Sequence, residues 1–230
     1  MSVERIENHS FLTEPLVFGA VVLDLGLNEG NFAVALAERF GCTVFGVEPV
    51  PMLFAALPRH PRLTVSQRAI TGDGAPVELH LNESSCATIT PSMATPGVTT
   101  VTVDSVTLAA LMDEYGVDEA ALVKVDIEGA EIAMFDEADD ATLSRVGQFT
   151  VEFHDFLDPA QAHSVERVSD RLIDAGFRRV RFSRNNTDVL FVNPRLVSFG
   201  PFKQVSVRAR YKYPRGVARV VARVTGSAPA

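Results

Sequence analysis

The sequence predicts an α/β fold, a mostly parallel sheet with helices on both faces and an antiparallel hairpin at one edge. Three observations support this. Val21-Val22-Leu23-Asp24-Leu25 is a short apolar run ending in Gly26 and Gly30, the pattern of a buried strand feeding a turn. Residues 31–40 then repeat apolar side chains at Phe32, Leu36 and Phe40, a helix face, with Gly41 as the stop signal. Finally, Thr43–Val47 reads as a second strand, Met52–Leu57 as a short helix and Leu63–Ile70 as a third strand. Strands that alternate with helices in this way build parallel βαβ units.

The remaining elements follow in order. Val77–Leu81 alternates like an exposed strand, and the Ser/Thr/Pro-rich stretch 82–97 reads as loop. Ser105 is the expected N-cap of a helix carrying Leu108, Leu111, Met112 and Tyr115, closed by Gly116. Ala121–Asp126 is a strand, with Glu128-Gly129-Ala130-Glu131 opening the helix behind it. Phe149–His154 is a further strand, and Asp158-Pro159 begins a helix ending near Gly176. Phe177–Ser183 and Asp188–Val192, joined by Arg184-Asn185-Asn186-Thr187, form the edge hairpin. With neither repeat nor linker, the 230 residues are expected to form one domain, a core over about 21–193 with 194–230 as an extension.

Charge is unevenly placed. Residues 1–188 hold 29 acids and 13 bases, net −16, whereas residues 189–230 hold 8 bases and no acid. The tail bases are interleaved with Val207, Val217, Val220 and Val221, so the tail is expected to fold onto the acidic body or onto a second copy in a homodimer. A body this acidic argues against nucleic acid as a partner. No apolar run reaches the roughly 18 residues a membrane span needs, and the acidic start is not a secretory signal, so a cytoplasmic location is expected. Cys42 and Cys86 lie outside any ligand spacing; Cys42 opens an apolar run and is expected to pack in the core.

In parallel sheets, ligands bind at the carboxyl ends of the strands, near the point where strand order reverses. Asp24-Leu25-Gly26-Leu27-Asn28-Glu29-Gly30 sits at such an end, and Glu48 ends the next strand, where a carboxylate can accept both hydroxyls of a ribose. A dinucleotide fingerprint needs glycine at its first, third and sixth positions; here they are Asp24, Gly26 and Glu29. Two carboxylates would face a pyrophosphate, so a cationic cofactor without phosphate fits better. The competing reading is a turn in which Asp24 only caps backbone groups.

Asp24-Leu-Gly26-Leu-Asn28-Glu29-Gly30-Asn31-Phe32, Val47-Glu48-Pro49 and Val123-Lys124-Val125-Asp126-Ile127-Glu128-Gly129-Ala130-Glu131 together resemble the FkbM-like methyltransferases, from about Val21 to Val192. The resemblance implies a class I methyltransferase, Rossmann-like sheet of seven strands and S-adenosylmethionine as methyl donor. It places Asp24 and Gly26 against the methionine part, Asn28, Gly30 and Asn31 near the turn, Glu48 on the ribose, and Arg68 and Ala69 beside the adenine. Leu27 stands where the family usually has a small residue.

Methyl transfer to a hydroxyl needs alignment and a proton acceptor. Asp126, Glu152 and His154 lie at neighbouring strand ends, and residues two apart on a strand share a face. His154 is the expected base, with Asp126 and Glu152 holding the cofactor amine, the substrate or, if the reaction uses one, a Mg²⁺ ion. A structural role for each remains open: Asp126 as a helix cap, Lys124 as an ordinary partner of the acids, His154 as a hydrogen-bonded strand end. The loop Asn82–Thr88 is a candidate source of substrate-binding hydroxyls. The expected reaction is O-methylation of a small polar acceptor, a carbohydrate first. A nicotinamide-dependent dehydrogenase and a nucleoside-binding module without catalysis are the rival readings.

Overall fold

The computed structural model of the protein describes residues 2–81, 87–88, 99–156 and 159–207. In chain order the strands and helices are β1 (Val3–Ile6), β2 (His9–Leu12), β3 (Val21–Leu25), α1 (Asn31–Phe40), β4 (Thr43–Val47), α2 (Pro51–Ala56), β5 (Leu63–Ser66) and β6 (Ala69–Ile70). There follow β7 (Val77–Leu81), β8 (Ala87–Thr88), β9 (Thr99–Val103), β10 (Ser105–Val106), α3 (Leu108–Glu114) and β11 (Leu122–Val125). The chain continues through α4 (Glu131–Glu137), α5 (Asp140–Ser144), β12 (Gln148–Val151), α6 (Ala162–Asp174), β13 (Arg178–Arg181) and β14 (Val189–Val192).

Seven strands join in the order β13-β14-β12-β11-β3-β4-β5. All pairings are parallel except those of β14, which runs antiparallel to both β12 and β13. The order reverses between β3 and β11, and their register sets Asp24 directly beside Lys124. This is the seven-stranded class I methyltransferase sheet that the resemblance implied, with the expected antiparallel edge.

The central strands β3, β11, β12 and β14 bury both faces. On one, Leu23, Leu25, Val123, Val125, Phe149, Val151 and Phe191 pack with residues of α3, α4 and α6 in the largest core cluster. On the other, α1 places Phe32, Ala33, Leu36 and Ala37 against Val22, Val44 and Leu122. The remainder of that face is covered by the β1–β2 hairpin, whose Val3 and Leu12 pack with Val180, Leu190, Val192, Val197 and Phe199. Sequence reading assigned no structure to residues 3–12, because four-residue strands give too short a pattern to distinguish from loop.

Several expectations change in detail. The strand expected over 63–70 is broken: the Arg68 N–H turns back to Ser66 O, and Ala69–Ile70 leaves the main sheet to pair with Ser105–Val106. Ser105 is therefore in a strand, and Thr107 caps α3 by accepting from Ala110 N–H at 3.1 Å. The strand expected to reach His154 stops at Val151; the Phe153 N–H bonds instead to Asn186 O. Residues 77–81 form the expected strand, but it is half-buried, with Leu79 in a small core, and it lies in a separate three-stranded antiparallel sheet with β8 and β9. Cys42 is buried as expected. The Asn82–Thr88 loop (apart from β8), Cys86, Asp158 and tail residues 208–230 lie outside the described residues. Among the described residues no helix is long and apolar enough to cross a membrane.

Candidate active site

At the carboxyl ends of β3, β4 and β11 lies a cleft with a cavity of about 100 Å³ that opens to solvent. Gly26, Asn28, Glu48 and Asp126 line one part of it; Val50, Leu53, Ala69, Ile70 and Leu79 line the other. Of the residues expected to hold a cofactor, Gly26, Asn28, Glu48, Ala69 and Asp126 therefore line the cleft. Asp24, Gly30, Asn31 and Arg68 do not. Gly30 caps α1 in a left-handed conformation, Asn31 bonds to Glu7 and Glu29, and Arg68 is held in a two-pronged pair by Glu114 at 2.8 and 2.9 Å.

The turn after β3 is fixed by its neighbours. Gly26 has φ +84°, and a Cβ there would meet Asp126 O at 1.9 Å, so only glycine lets β3 and β11 approach at this end. Leu27 is accommodated because its neighbour across the strand is Gly46, where a Cβ would stand 2.5 Å from Leu27 Cδ1. Glu48 is locked in place by two backbone donors, Asn28 N–H to Oε2 at 2.8 Å and Val50 N–H to Oε1 at 2.9 Å.

Asp24 lies beneath the cleft, fully buried, with Lys124 Nζ 3.1 Å from Oδ1. Lys124 is its charge partner, and no other donor among the described residues reaches either Asp24 oxygen. Lys124, 2% exposed, donates to Gly26 O at 2.6 Å and lies 3.5 Å from Asp126 Oδ2. Burial opposes its charge, but Asp24 and Asp126 together hold its pKa above the ordinary value. Asp24 is pushed up to about 6 by burial, against the pull of Lys124.

The loop from β11 to α4 turns sharply, with Glu128 at φ 52° and Gly129 at φ 104°. Glu131, the first residue of α4, reaches back: its Oε1 accepts from Ile127 N–H and Gly129 N–H at 3.2 Å each and from His154 Nδ1 at 2.8 Å. Because α4 begins only here, Asp126 is not its cap. Instead Asp126 is flanked by two histidines. His154 Nε2 lies 3.7 Å from Oδ1 and 3.3 Å from Glu128 Oε2; His9 Nε2, from the N-terminal hairpin, lies 3.4 Å from Oδ2. Glu152 completes the group, with a carboxylate oxygen within 4.8 Å of both Asp126 and His9.

A sequence profile described as the Methyltransferase FkbM domain matches residues 24–179, more than half of the chain. The chain belongs to the FkbM methyltransferase family. It is also 36% identical over 67 residues to the AMB antimetabolite synthetase AmbE of Pseudomonas aeruginosa, a stretch that covers 29% of this chain and 3% of that protein. Among solved structures it is similar to a fibrillarin pre-rRNA processing protein of Methanococcus jannaschii, with TM-score 0.46 and 10% identity over 83% of this chain and 70% of that one. It is likewise similar to a precorrin-6y C5,15-methyltransferase of Geobacter metallireducens, with TM-score 0.39 and 11% identity over 76% and 80% of the two chains.

The two histidines of this FkbM-family site are driven in opposite directions. Burial pushes His9 down to about 4, with Lys124 and Arg5 adding to the shift and Asp126 opposing it, so the ring is neutral at pH 7. For His154 burial also opposes charge, but its bond to Glu131 and the charges of Glu131, Glu128 and Asp126 raise it to about 9. His154 therefore carries its proton at neutral pH and has no free nitrogen to act as the expected base. Glu152 is pushed up to about 7 by burial and by Asp126 and Glu128. Of the groups expected to move a proton, it is the one whose pKa matches neutral working conditions.

A magnesium ion fits poorly. His9, Asp126 and Glu152 offer three ligand atoms within 4.8 Å, as do Asp126, Glu128 and His154. Yet Asp126 Oδ2 already faces the Lys124 ammonium and the His9 ring, and Oδ1 faces the charged His154. An octahedral oxygen-preferring cation would have to displace the Lys124 and His154 charges and the His9 N–H or sit against them.

Sequence reasoning missed His9 and Glu131 as members of this site. Glu131 was visible in the Lys-Val-Asp-Ile-Glu-Gly-Ala-Glu motif, but only as a favourable charge at a helix start. His9 gave no signal, since nothing local connects it to Asp126, 117 residues away.

Proposed function

We propose that the cleft binds S-adenosylmethionine and that the chain moves its methyl group to a hydroxyl of a small polar acceptor, a carbohydrate first. The observation that carries this reading is Glu48: a buried carboxylate, held by two backbone donors, that lines a cleft together with both polar and apolar side chains. Glu48 would accept the ribose hydroxyls, the apolar group Val50, Leu53, Ala69, Ile70 and Leu79 would cover the adenine, and Asp126 would take the ammonium beside Gly26 and Asn28. Bound there, the donor supplies a methyl group activated by a sulfonium. The chain orients the acceptor hydroxyl, and Glu152 accepts its proton as the new oxygen–carbon bond forms and the sulfur–carbon bond breaks. His154 and Glu131 keep the β11–α4 loop closed around Asp126 and Glu128. Carboxylates at Glu128 and Glu152 suit a polyhydroxylated acceptor because each accepts several hydrogen bonds.

The same concentration of acids favours a second acceptor class, an amine, which would enter as a cation and lose its proton to Glu152. Calorimetry with S-adenosylmethionine tests the donor site: the wild-type chain should bind it, and Glu48→Ala should weaken binding tenfold or more, by loss of hydrogen bonds to a charged group. Failure of the wild-type chain to bind at saturating donor would overturn the reading. A labelled-methyl transfer panel of sugars and amines separates the acceptors. With the productive acceptor, the wild-type rate should rise with pH through about 7, and Glu152→Gln should remove that limb.

A further inference from the structure

The β1–β2 hairpin lies outside residues 24–179, which carry the family match, yet it delivers a side chain to the centre of the site. Its attachment is made by side chains rather than by sheet extension. Ser10 N–H and Oγ donate to the two oxygens of Asp188 at 3.0 and 2.8 Å, and Arg5 Nε adds a contact to the same carboxylate at 3.3 Å. One turn of the ladder away, the Gln148 amide pairs with Leu12 N–H and C=O at 2.9 Å each. The Ser10 and Gln148 bonds are buried, and they place His9 with 1% of its surface exposed, its ring edge-on to Phe32 at 5.6 Å.

Both nitrogens of His9 then face a partner on the sheet: Nδ1 lies 3.5 Å from Thr150 Oγ1, and Nε2 lies 3.4 Å from Asp126 Oδ2. A carboxylate only accepts, so Nε2 carries the hydrogen and Nδ1 accepts from the Thr150 hydroxyl. Asp126 Oδ2 is thus fastened by His9 and Lys124, while Oδ1 faces the cleft that Asp126 lines, with His154 Nε2 3.7 Å away.

We propose that His9 is a positioning residue of the active site: by donating to Asp126 Oδ2 it fixes that carboxylate in the orientation that receives the ammonium of the methyl donor. The inference rests on the reading of Asp126 given above, and the experiment separates the two. Dissociation constants for S-adenosylmethionine and S-adenosylhomocysteine are measured by calorimetry on the full chain for wild type, His9→Leu, Asp126→Asn and the double variant. Asp126→Asn should weaken binding, and His9→Leu should weaken it roughly fivefold to tenfold, the loss of a hydrogen bond to a charged acceptor. In the double variant His9→Leu should add almost nothing, because the carboxylate it acts through is gone. His9→Gln, whose amide can donate from nearly the position of Nε2, should restore binding to within about twofold. Thr150→Val, which removes the partner of Nδ1, should act in the same direction and also only when Asp126 is present. It carries the test if His9→Leu does not fold. Wild-type affinity in Asp126→Asn would overturn the role of Asp126 and the inference with it. Weakened binding in Asp126→Asn with unchanged or fully additive losses for His9→Leu would overturn the role of His9 alone.

Discussion

On one face of the sheet, register sets Leu23, Val123, Phe149 and Phe191 side by side across four strands, an unbroken apolar row under α4 and α6. One residue further along the same strands, on the opposite face, stand Asp24, Lys124, Thr150 and Leu190. The first row needs no particular partner, since any well-packed apolar surface will cover it. The second contains an ion pair and a hydroxyl in the middle of a sheet, and Gln148 lies on that same face. Burying such groups is costly unless each finds a partner. The N-terminal hairpin provides several: His9 for Thr150 and Asp126, and the backbone of Leu12 for Gln148. The contrast teaches that one face holds the fold together and the other carries the site, with the hairpin as the lid that makes a polar sheet surface tolerable.

Substitutions on the two faces sharpen this contrast. Lys124→Met leaves the Asp24 carboxylate buried without its cation and should cost about 3–5 kcal/mol in urea unfolding. Adding Asp24→Leu should recover most of that loss, because an apolar pair of similar volume has no unmatched charge. Phe149→Ala, on the apolar face, should also cost about 3–5 kcal/mol. The two differ in the site: where the proteins remain folded, donor affinity should fall for Lys124→Met and stay near wild type for Phe149→Ala. Equal effects on affinity would break the division of labour. Gln148→Ala should have a smaller effect, about 1–3 kcal/mol, by leaving the N–H and C=O of Leu12 buried and unbonded. It should also raise hydrogen exchange in residues 3–12 before the rest of the sheet.

The pH response gives the smallest and most specific comparison, because the two histidines flank Asp126 from opposite faces. His154 has a folded-state pKa of about 9 against an ordinary 6.5, so the folded protein binds its proton more tightly. Its contribution to stability is complete below about pH 6.5 and is lost as pH rises through 9. His9 is held near 4, so the unfolded chain binds that proton better, and stability from its neutral state is present above about 6.5 and lost as pH falls through 4. The difference in melting temperature between wild type and His154→Gln should therefore shrink from pH 6 to 9.5, whereas that for His9→Gln should shrink from pH 7 to 4. A gap that moves the other way for either variant would overturn the assigned charge state.

Much of the framework could be read from the chain. The βαβ segment from Val21 to Val47, the Gly41 stop and the edge hairpin all follow from spacing and turn residues, which act over a few positions. Glu48 and Asp126, which line the cleft, stand out in the sequence because strand ends are where such sheets bind ligands. Boundaries set by competition between neighbours were not legible. Arg68 leaves the strand expected to continue through it, and Thr107 outcompetes Ser105 as a cap because Ser105 is already paired with Ala69. The charge of His154 was also beyond the sequence, since it depends on Glu131 and Glu128 converging on one ring.

By itself, the sequence determined the alternation of strand and helix, the parallel sheet, and which strand ends carry glycine and acid, because each is encoded by residues within one or two turns of each other. Only the tertiary structure decided what those acids do. His9 reaches Asp126 across 117 residues and Thr150 across 141, and Lys124 meets Asp24 through strand register. Such contacts are energies of packing and burial, which exist only once the distant segments have been brought together.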